Sequence, residues 1–157
     1  MESVICRHSS RIGCGLGGEM IDEQVPTVSG MVRGLLDLLT VNSDGSLVVM
    51  ELKASEDIQL PLQALDYWMR VHWHHQRGEL QRKGYFAGRQ LSPQPPLLLL
   101  VGPALQFHPA CEVILRYLSP EVEAIRVGLN ENWRKELQVV FREPRSPGAG
   151  KLSELSR

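Results

Sequence analysis

The chain has 157 residues, the size of one ordinary domain, and its 43% hydrophobic and 22% charged residues are typical of a globular protein. This composition excludes an intrinsically disordered chain, a coiled coil and a collagen-like chain. The formal net charge is −1, but residues 1–69 carry ten Asp/Glu against four Lys/Arg, whereas residues 70–89 carry five Lys/Arg against one Glu. Such a local dipole is unlike the overall positive field of a tight nonspecific DNA binder. The basic segment fits either a solvated helix end and loop or an edge that contacts phosphates.

The sequence also indicates the compartment and the domain organisation. The longest apolar run, Leu97 to Val101, is far shorter than the ~20 residues that span a bilayer, and the first residues contain no apolar stretch of signal-peptide length. Three cysteines, an odd number, fit a reducing compartment. We therefore expect a cytoplasmic protein with no membrane contact, made of a single domain over residues 1–142 and a flexible Pro/Gly/Ser-rich tail over residues 143–157.

Helices and strands are predicted from apolar periodicity and from turn residues. Residues 1–18 are glycine-rich and show no period, so we expect an irregular N-terminal segment there. Two Val/Leu-rich segments, 30–41 and 47–53, flank a turn-forming run over 42–46 and predict a β-hairpin. The other predicted elements are a strand over 19–28, helices over 58–76 and 109–118, a buried strand over 97–101, and strands over 122–129 and 136–142. The predicted fold class is α/β (α+β), with a mixed sheet flanked by helices.

The hairpin loop decides which side chains of its two strands share a face. A two-residue Asp44-Gly45 loop would place Asp37 opposite Leu52. A three-residue Ser43-Asp44-Gly45 loop pairs Asp37 with Glu51, and it requires glycine at its third position, where Gly45 stands. It also pairs Leu39 with Val49 and Val41 with Leu47, so that apolar partners match. We therefore predict the three-residue loop.

This register gathers a cluster of charged groups inside apolar strands. Glu51 and Lys53 are two residues apart on one strand and project from the same face, beside Asp37. Two facing carboxylates repel, unless a divalent cation between them converts the repulsion into ligation, and oxygen ligands suit Mg²⁺ or Mn²⁺. Lys53 could orient a water or neutralise developing charge beside such an ion. The alternative is a buried Asp/Glu/Lys cluster that only pairs its charges.

The helix that follows carries a polar stripe. At 100° per residue, four polar or aromatic side chains fall within about 60° of one another. We expect this stripe to border an active site and a separate apolar face to pack on the sheet; an ordinary amphipathic helix is the alternative. The stripe consists of Gln63, Tyr67, Arg70 and His74, and the predicted apolar face of Leu62, Leu65, Met69 and Trp73.

Together these residues resemble the PD-(D/E)XK nuclease superfamily. Asp37 precedes a (D/E)xK triplet, Glu51-Leu52-Lys53, on the next strand, and the run from Gln63 to Tyr67 matches the QxxxY helix motif of the RecB-like branch. The resemblance covers residues 30–101. It departs from the family at Leu36, which stands where the name-giving proline would be.

The resemblance implies a restriction-endonuclease-like sheet, a metal site and a nuclease activity. Asp37, Glu51 and the Leu52 carbonyl would bind Mg²⁺ or Mn²⁺, Lys53 would position the attacking water, and Gln63 would steady the site. Tyr67 would contact the nucleic-acid backbone, with Arg70 and His74 beside it on the substrate side. The family's first core helix would be reduced or missing here, so its acidic group would come from Glu2, Glu19 or Glu23, between which the sequence does not choose.

The expected function is therefore a metal-dependent nuclease acting on DNA. The alternative is a catalytically silent nuclease-fold module that binds nucleic acid or a protein partner. A homodimer, or a partner chain, would complete the N-terminal part of the fold. The sequence leaves open whether the enzyme would be an exonuclease or an endonuclease, and whether its substrate would be single-stranded, double-stranded or branched.

Overall fold

A five-stranded mixed sheet organises the computed structural model, which describes residues 1–16 and 38–146. The strands lie in the sheet in chain order. The second, third and fourth strands run parallel, and the two outer strands pair with them antiparallel. The predicted mixed sheet flanked by helices is thereby confirmed. The strands are β1 (Leu38–Val41), β2 (Leu47–Leu52), β3 (Leu97–Pro103), β4 (Ala124–Leu129) and β5 (Val139–Pro144).

The helices follow the predicted order, with additions at the N-terminus and after the long helix. The long helix begins two residues later than predicted and ends at the predicted residue. Pro61 lies in its first turn, where backbone amides have no acceptor within the helix. Among the described residues, no helix is long and apolar enough to cross a membrane. The helices are α1 (Glu2–Arg7), α2 (Ser9–Ile12), α3 (Leu60–Gln76), α4 (Glu79–Arg82) and α5 (Ala110–Arg116), with a short 3₁₀ helix over Ala104–Gln106.

The hairpin has the predicted three-residue turn. Gly45 has a φ of +81°, the left-handed conformation that this turn needs and that glycine adopts without strain. The Asn42 side-chain oxygen accepts hydrogen bonds from the backbone N–H groups of Asp44 (3.0 Å) and Ser46 (2.9 Å) and so closes the turn. Leu39 pairs with Val49, and the predicted register of β1 on β2 is confirmed for residues 38–41.

The sheet separates two apolar cores, because residues two apart on a strand share a face. Leu47 and Val49 of β2 pack with α3 and α5 on one face, whereas Val48 and Met50 pack on the other face with α1, α2 and the turn after β4. Every residue of β2 and residues 98–103 of β3 are buried. Apart from Glu51, the side chains of β2 and β3 are apolar, as expected of parallel strands covered on both sides.

Helix α3 is turned differently from the prediction. Its buried face consists of Leu60, Pro61, Ala64, Tyr67, Trp68 and Val71. Of the predicted apolar face, only Leu65 packs against the core; Leu62, Met69 and Trp73 are about half exposed. The prediction was wrong because both sides of this helix carry large apolar residues, and the buried side includes a tryptophan whose indole N–H donates to the Pro96 carbonyl (2.5 Å).

Two predictions about the ends of the domain were also wrong. The N-terminal segment is helical over residues 2–7 and 9–12, and Ile5, Ile12 and Leu16 are buried under the sheet. The predicted flexible tail is not a tail over residues 143–146. Strand β5 continues to Pro144, and the Arg145 guanidinium donates to the carbonyls of Leu115 and Leu118. The predicted strand over 19–28 and the remainder of the tail lie outside the described residues.

Candidate functional site

The candidate site lies at the carboxyl ends of β2 and β3, where the loops that follow two parallel strands meet. Leu52 pairs with Val101, and the Lys53 amide donates to the Val101 carbonyl (3.0 Å). The Glu56 amide donates to the Gln106 side chain (3.1 Å), which joins the two loops. In open α/β sheets, the crevice outside the carboxyl ends of parallel strands is the usual place for a ligand. The predicted residues of β2 therefore stand at the edge of the sheet where chemistry is expected.

Glu51 is the carboxylate that this edge buries. It is 5% exposed and lies in the odd-numbered set of β2, the set that faces α3. Burying a carboxylate costs several kcal/mol before hydrogen bonds and charges offset it. Thr40 is the other buried polar residue among the described ones. A buried Glu at the end of a central strand is therefore an exceptional feature of this fold.

Tyr67 packs in the same layer as Glu51. The tyrosine is 5% exposed, and burial raises the pKa of its phenol well above the usual value. The negative charge of Glu51 raises this pKa further, and Tyr85 adds a smaller effect in the same direction. The structure thus places Tyr67 within the electrostatic range of Glu51. It places the phenol inside the protein, however, and not on the surface where a substrate backbone would run.

Lys53 is the first residue after β2, and its side chain is partly exposed. Its Nζ lies 3.3 Å from the Asp57 Oδ2 atom, and each of the two side chains is 29% exposed. The Asp57 Oδ1 atom accepts a hydrogen bond from the Gln59 amide (2.8 Å) at the start of α3. This hydrogen bond, and then the Lys53 ammonium, hold the pKa of Asp57 below its ordinary value. Lys53 is therefore tied to the start of the helix by a partly exposed ion pair.

The predicted stripe on α3 is divided by the burial of the helix. Tyr67 is buried, His74 is half-buried, and Gln63 and Arg70 are exposed. Arg70 pairs with Asp66 one turn earlier on the same helix (2.9 Å). The Nδ1 atom of His74 lies 2.5 Å from the Glu79 carboxylate, which also accepts from Arg77. Arg70 and His74 are thus already paired with the carboxylates of Asp66 and Glu79.

The other two members of the predicted metal site are Asp37 and Leu52. Asp37 lies outside the described residues, as do the candidate upstream acids Glu19 and Glu23. Leu52 ends β2, with its side chain buried in the core on the opposite face. Over residues 1–16 and 38–146, no three His, Cys, Asp or Glu side chains come together as a metal-binding group. The part of the site that the structure describes is therefore one carboxylate, one lysine and the groups around them.

The sequence patterns assign no site role to the groups that support this edge, which are Asp57 and the residues after β3. The Nε2 atom of His108 lies 3.7 Å from the Glu56 carboxylate, and Phe107 packs beside Gly102. No local pattern signals the contact of His108 with Glu56, because the two residues are 52 positions apart. Residues 55–57 are Ser, Glu and Asp, all residue types that favour a helix start, and this local signal could have suggested an acidic partner for Lys53.

Comparison with known proteins adds no relative to these observations. No family model, curated protein or solved structure matches the chain.

Proposed function

We propose that this chain is a metal-dependent nuclease that hydrolyses phosphodiester bonds, with DNA as its substrate, on a restriction-endonuclease-like sheet. The observation that carries the proposal is the placement of Glu51 and Lys53 at the carboxyl end of β2. Glu51 is buried in the strand one residue before its end, and Lys53 is the first residue after the strand, with its side chain partly exposed. A carboxylate that is withdrawn from water beside an accessible cation is the arrangement that a (D/E)xK triplet provides in such nucleases.

The hairpin gives independent support. Its three-residue turn and its ladder over residues 38–41 have the register from which the pairing of Asp37 with Glu51 was predicted. In the proposed site, Asp37, Glu51 and the Leu52 carbonyl hold Mg²⁺ or Mn²⁺, which prefer oxygen ligands. The ion supplies Lewis-acid stabilisation of the phosphate charge. Lys53 positions the attacking water, and it is the one cation of the triplet that can reach the solvent side.

The exposed Gln63 would act at the rim of the site, on the side from which substrate arrives. Tyr67, being buried against the Glu51 layer, would fix the Glu51 carboxylate and not contact substrate. Arg70 and His74 would contribute to phosphate binding after exchange of their present carboxylate partners. The basic segment 70–89 lies along the end of this helix and the short α4.

A catalytically silent module that binds nucleic acid or a protein partner is the second candidate. The ion pair of Lys53 with Asp57 favours it, because a lysine that serves chemistry at a phosphate must be free to exchange this partner. The described residues also include no complete metal-ligand group. The two candidates share a fold and differ in metal binding and in turnover.

Metal titration and a cleavage assay test the proposal. Mn²⁺ binding is measured by calorimetry for the wild type and for Glu51→Gln and Lys53→Ala, with the exposed Glu131→Gln and Lys135→Ala as matched controls. Cleavage of linear, circular and branched DNA is followed with and without Mg²⁺. We expect Glu51→Gln to lose both metal binding and cleavage, whereas Lys53→Ala keeps much of the metal binding and loses cleavage.

Other outcomes of these two assays would change the assignment. A wild type that binds no divalent ion would refute the proposal of a metal-dependent nuclease. A wild type that binds metal and DNA but cleaves none of the substrates favours the silent module. Loss of function in the control variants as well would place the activity elsewhere on the chain.

A further inference from the structure

Helix α3 presents a continuous apolar stripe on the side that faces away from the sheet. Ile58, Leu62, Met69 and Trp73 are 52%, 54%, 50% and 50% exposed, and the partly buried Leu65 lies between them. The spacings of three, four and four residues place Leu62, Leu65, Met69 and Trp73 on one side of the helix, and Ile58 precedes its first residue by two positions. We call these five residues the α3 stripe. Single exposed apolar side chains are ordinary, but a row of four along one helix, with a fifth just before it, marks an interaction surface.

The α3 stripe is complementary to itself when one copy is reversed. In an antiparallel pair centred between residues 65 and 66, Ile58 faces the position of Trp73 and Leu62 faces that of Met69. Leu65 meets its counterpart near the centre. A twofold interface has this isologous property, because each contact between two positions occurs twice. A parallel pair in register would place each residue of the stripe opposite its own copy. It would therefore not pair Ile58 with the larger Trp73 or Leu62 with the longer Met69.

The charges at the ends of the helix also favour the reversed copy. The approach to α3 carries Glu56 and Asp57 against Lys53, which is paired with Asp57. Beyond Arg70, which is paired with Asp66 within the helix, the far end and the short α4 carry Arg77, Arg82 and Lys83 against Glu79. An antiparallel pair brings the acidic end of each helix to the basic end of the other, whereas a parallel pair brings like charges together.

We propose that the α3 stripe binds the α3 stripe of a second copy of this chain, with the two helices antiparallel. The inference stands on exposure, spacing and charge, and it does not depend on the proposed nuclease activity. One helix pair buries an area near the low end of specific interfaces, about 1,000 Å² in total. We therefore expect a reversible dimer whose population rises with protein concentration.

Analytical ultracentrifugation of the full chain from about 5 to about 500 µM tests the association. Leu62→Lys and Met69→Lys each place a charge within the stripe at a half-exposed position, where the fold tolerates it. Leu105→Lys is the matched control, since Leu105 is 79% exposed and lies outside the stripe. Circular dichroism and thermal unfolding confirm that each variant is folded. We expect both stripe variants to raise the dimer dissociation constant by at least about tenfold and the control to leave it unchanged.

Cross-linking tests the orientation. Leu62→Cys and Met69→Cys chains are mixed and oxidised, with wild type treated in parallel because Cys6, Cys14 and Cys111 form no disulfide within the chain. We expect a covalent dimer between the two variants, and much less from either variant alone. A wild type that stays monomeric over the whole concentration range overturns the proposal. This is the result expected if another part of the same chain covers the stripe. A dimer that survives both lysine variants, or that cross-links 62 to 62, overturns it as well.

Discussion

Asp57 connects Lys53 to the start of α3, and two substitutions separate its two contacts. Its Oδ2 atom lies 3.3 Å from the Lys53 Nζ atom, and its Oδ1 atom accepts from the Gln59 amide at 2.8 Å. Asp57→Asn removes the charge and keeps an oxygen for the amide. Asp57→Ala removes both contacts. The difference between the two variants therefore isolates the hydrogen bond, and the asparagine variant alone isolates the ion pair.

The expected magnitudes follow from exposure. An ion pair between two side chains that are each 29% exposed contributes about 0.5 kcal/mol to the free energy of unfolding. A side-chain hydrogen bond to a backbone amide at a helix start contributes about 1 kcal/mol. We expect Asp57→Asn to lower the free energy of unfolding by about 0.5 kcal/mol and Asp57→Ala by about 1.5 kcal/mol. Urea unfolding at neutral pH measures both values.

A double-mutant cycle with Lys53→Ala and a pH series test the cause. The coupling between the two positions should equal the ion-pair contribution at pH 7. Because the Gln59 amide and Lys53 lower the pKa of Asp57 in the folded state, the stabilisation is present above the unfolded-state pKa and is lost as the pH falls through the folded-state pKa. The difference between wild type and Asp57→Asn should therefore begin to shrink as the pH falls to the unfolded-state pKa of about 3.9 and vanish only below the lowered folded-state pKa of Asp57.

The same variant bears on the chemistry. If Lys53 positions the attacking water, Asp57→Asn frees its ammonium group and leaves cleavage at or above the wild-type rate. Equal destabilisation of Asp57→Asn and Asp57→Ala, a cycle without coupling, or a difference that persists unchanged at acidic pH would each show that Asp57 does not make the two separate contributions. Loss of cleavage in a folded, metal-binding Asp57→Asn protein would show that cleavage needs the ion pair of Lys53 with Asp57, and not Lys53 alone.

Three further substitutions test the packing around the site. Tyr67→Phe should reduce the loss of stability at alkaline pH. Because the pKa of the phenol is raised in the folded state, its stabilisation is fully present below the unfolded-state pKa of about 10 and is lost as the pH rises above that value. Thermal unfolding between pH 8 and about 11 measures the difference. Gly45→Ala should cost about 1–3 kcal/mol in urea unfolding, because φ is +81° and an added Cβ would lie 2.6 Å from the Gln90 carbonyl oxygen; an unchanged stability would reject the turn geometry. Trp68→Phe should cost about 2–3 kcal/mol, since it leaves the buried Pro96 carbonyl without its indole donor, and a loss below about 0.5 kcal/mol would show that another donor replaces it.

The elements that could be predicted are those that local chemistry determines. The hairpin follows from Asn42, whose side chain binds two amides of the turn, and from Gly45, which takes the left-handed position. Alternation then places Glu51 and Lys53 on one face of β2 without any tertiary information. The buried strand at Leu97–Pro103 follows from its uninterrupted apolar run.

The elements that could not be predicted depend on contacts between distant residues. Helix α3 has large apolar residues on two opposite sides, so its period identifies a helix and does not identify the side that meets the sheet. That choice is made by Trp68, which reaches Pro96, and by Tyr67, which enters the layer of Glu51. The N-terminal helices were missed for a related reason: the glycines at 13–18 obscure the spacing of seven between Ile5 and Ile12, and their burial depends on the sheet.

The orientation of α3 has one consequence for the site that the motif alone does not contain. The polar stripe borders the buried face of the helix, so that Tyr67 falls inside it and Gln63, one turn earlier on the same row, falls outside. The resemblance gives Gln63 a role inside the site and Tyr67 a role toward the substrate. In this fold, the tyrosine is the residue placed to act on Glu51, and the glutamine is the residue that solvent and substrate can reach. If the chain is a nuclease, Tyr67 therefore takes the inner position that the motif gives to Gln63, and Gln63 takes the position toward the substrate. The sheet covers the buried face of α3, and the α3 stripe on the opposite side is the face that can bind a partner.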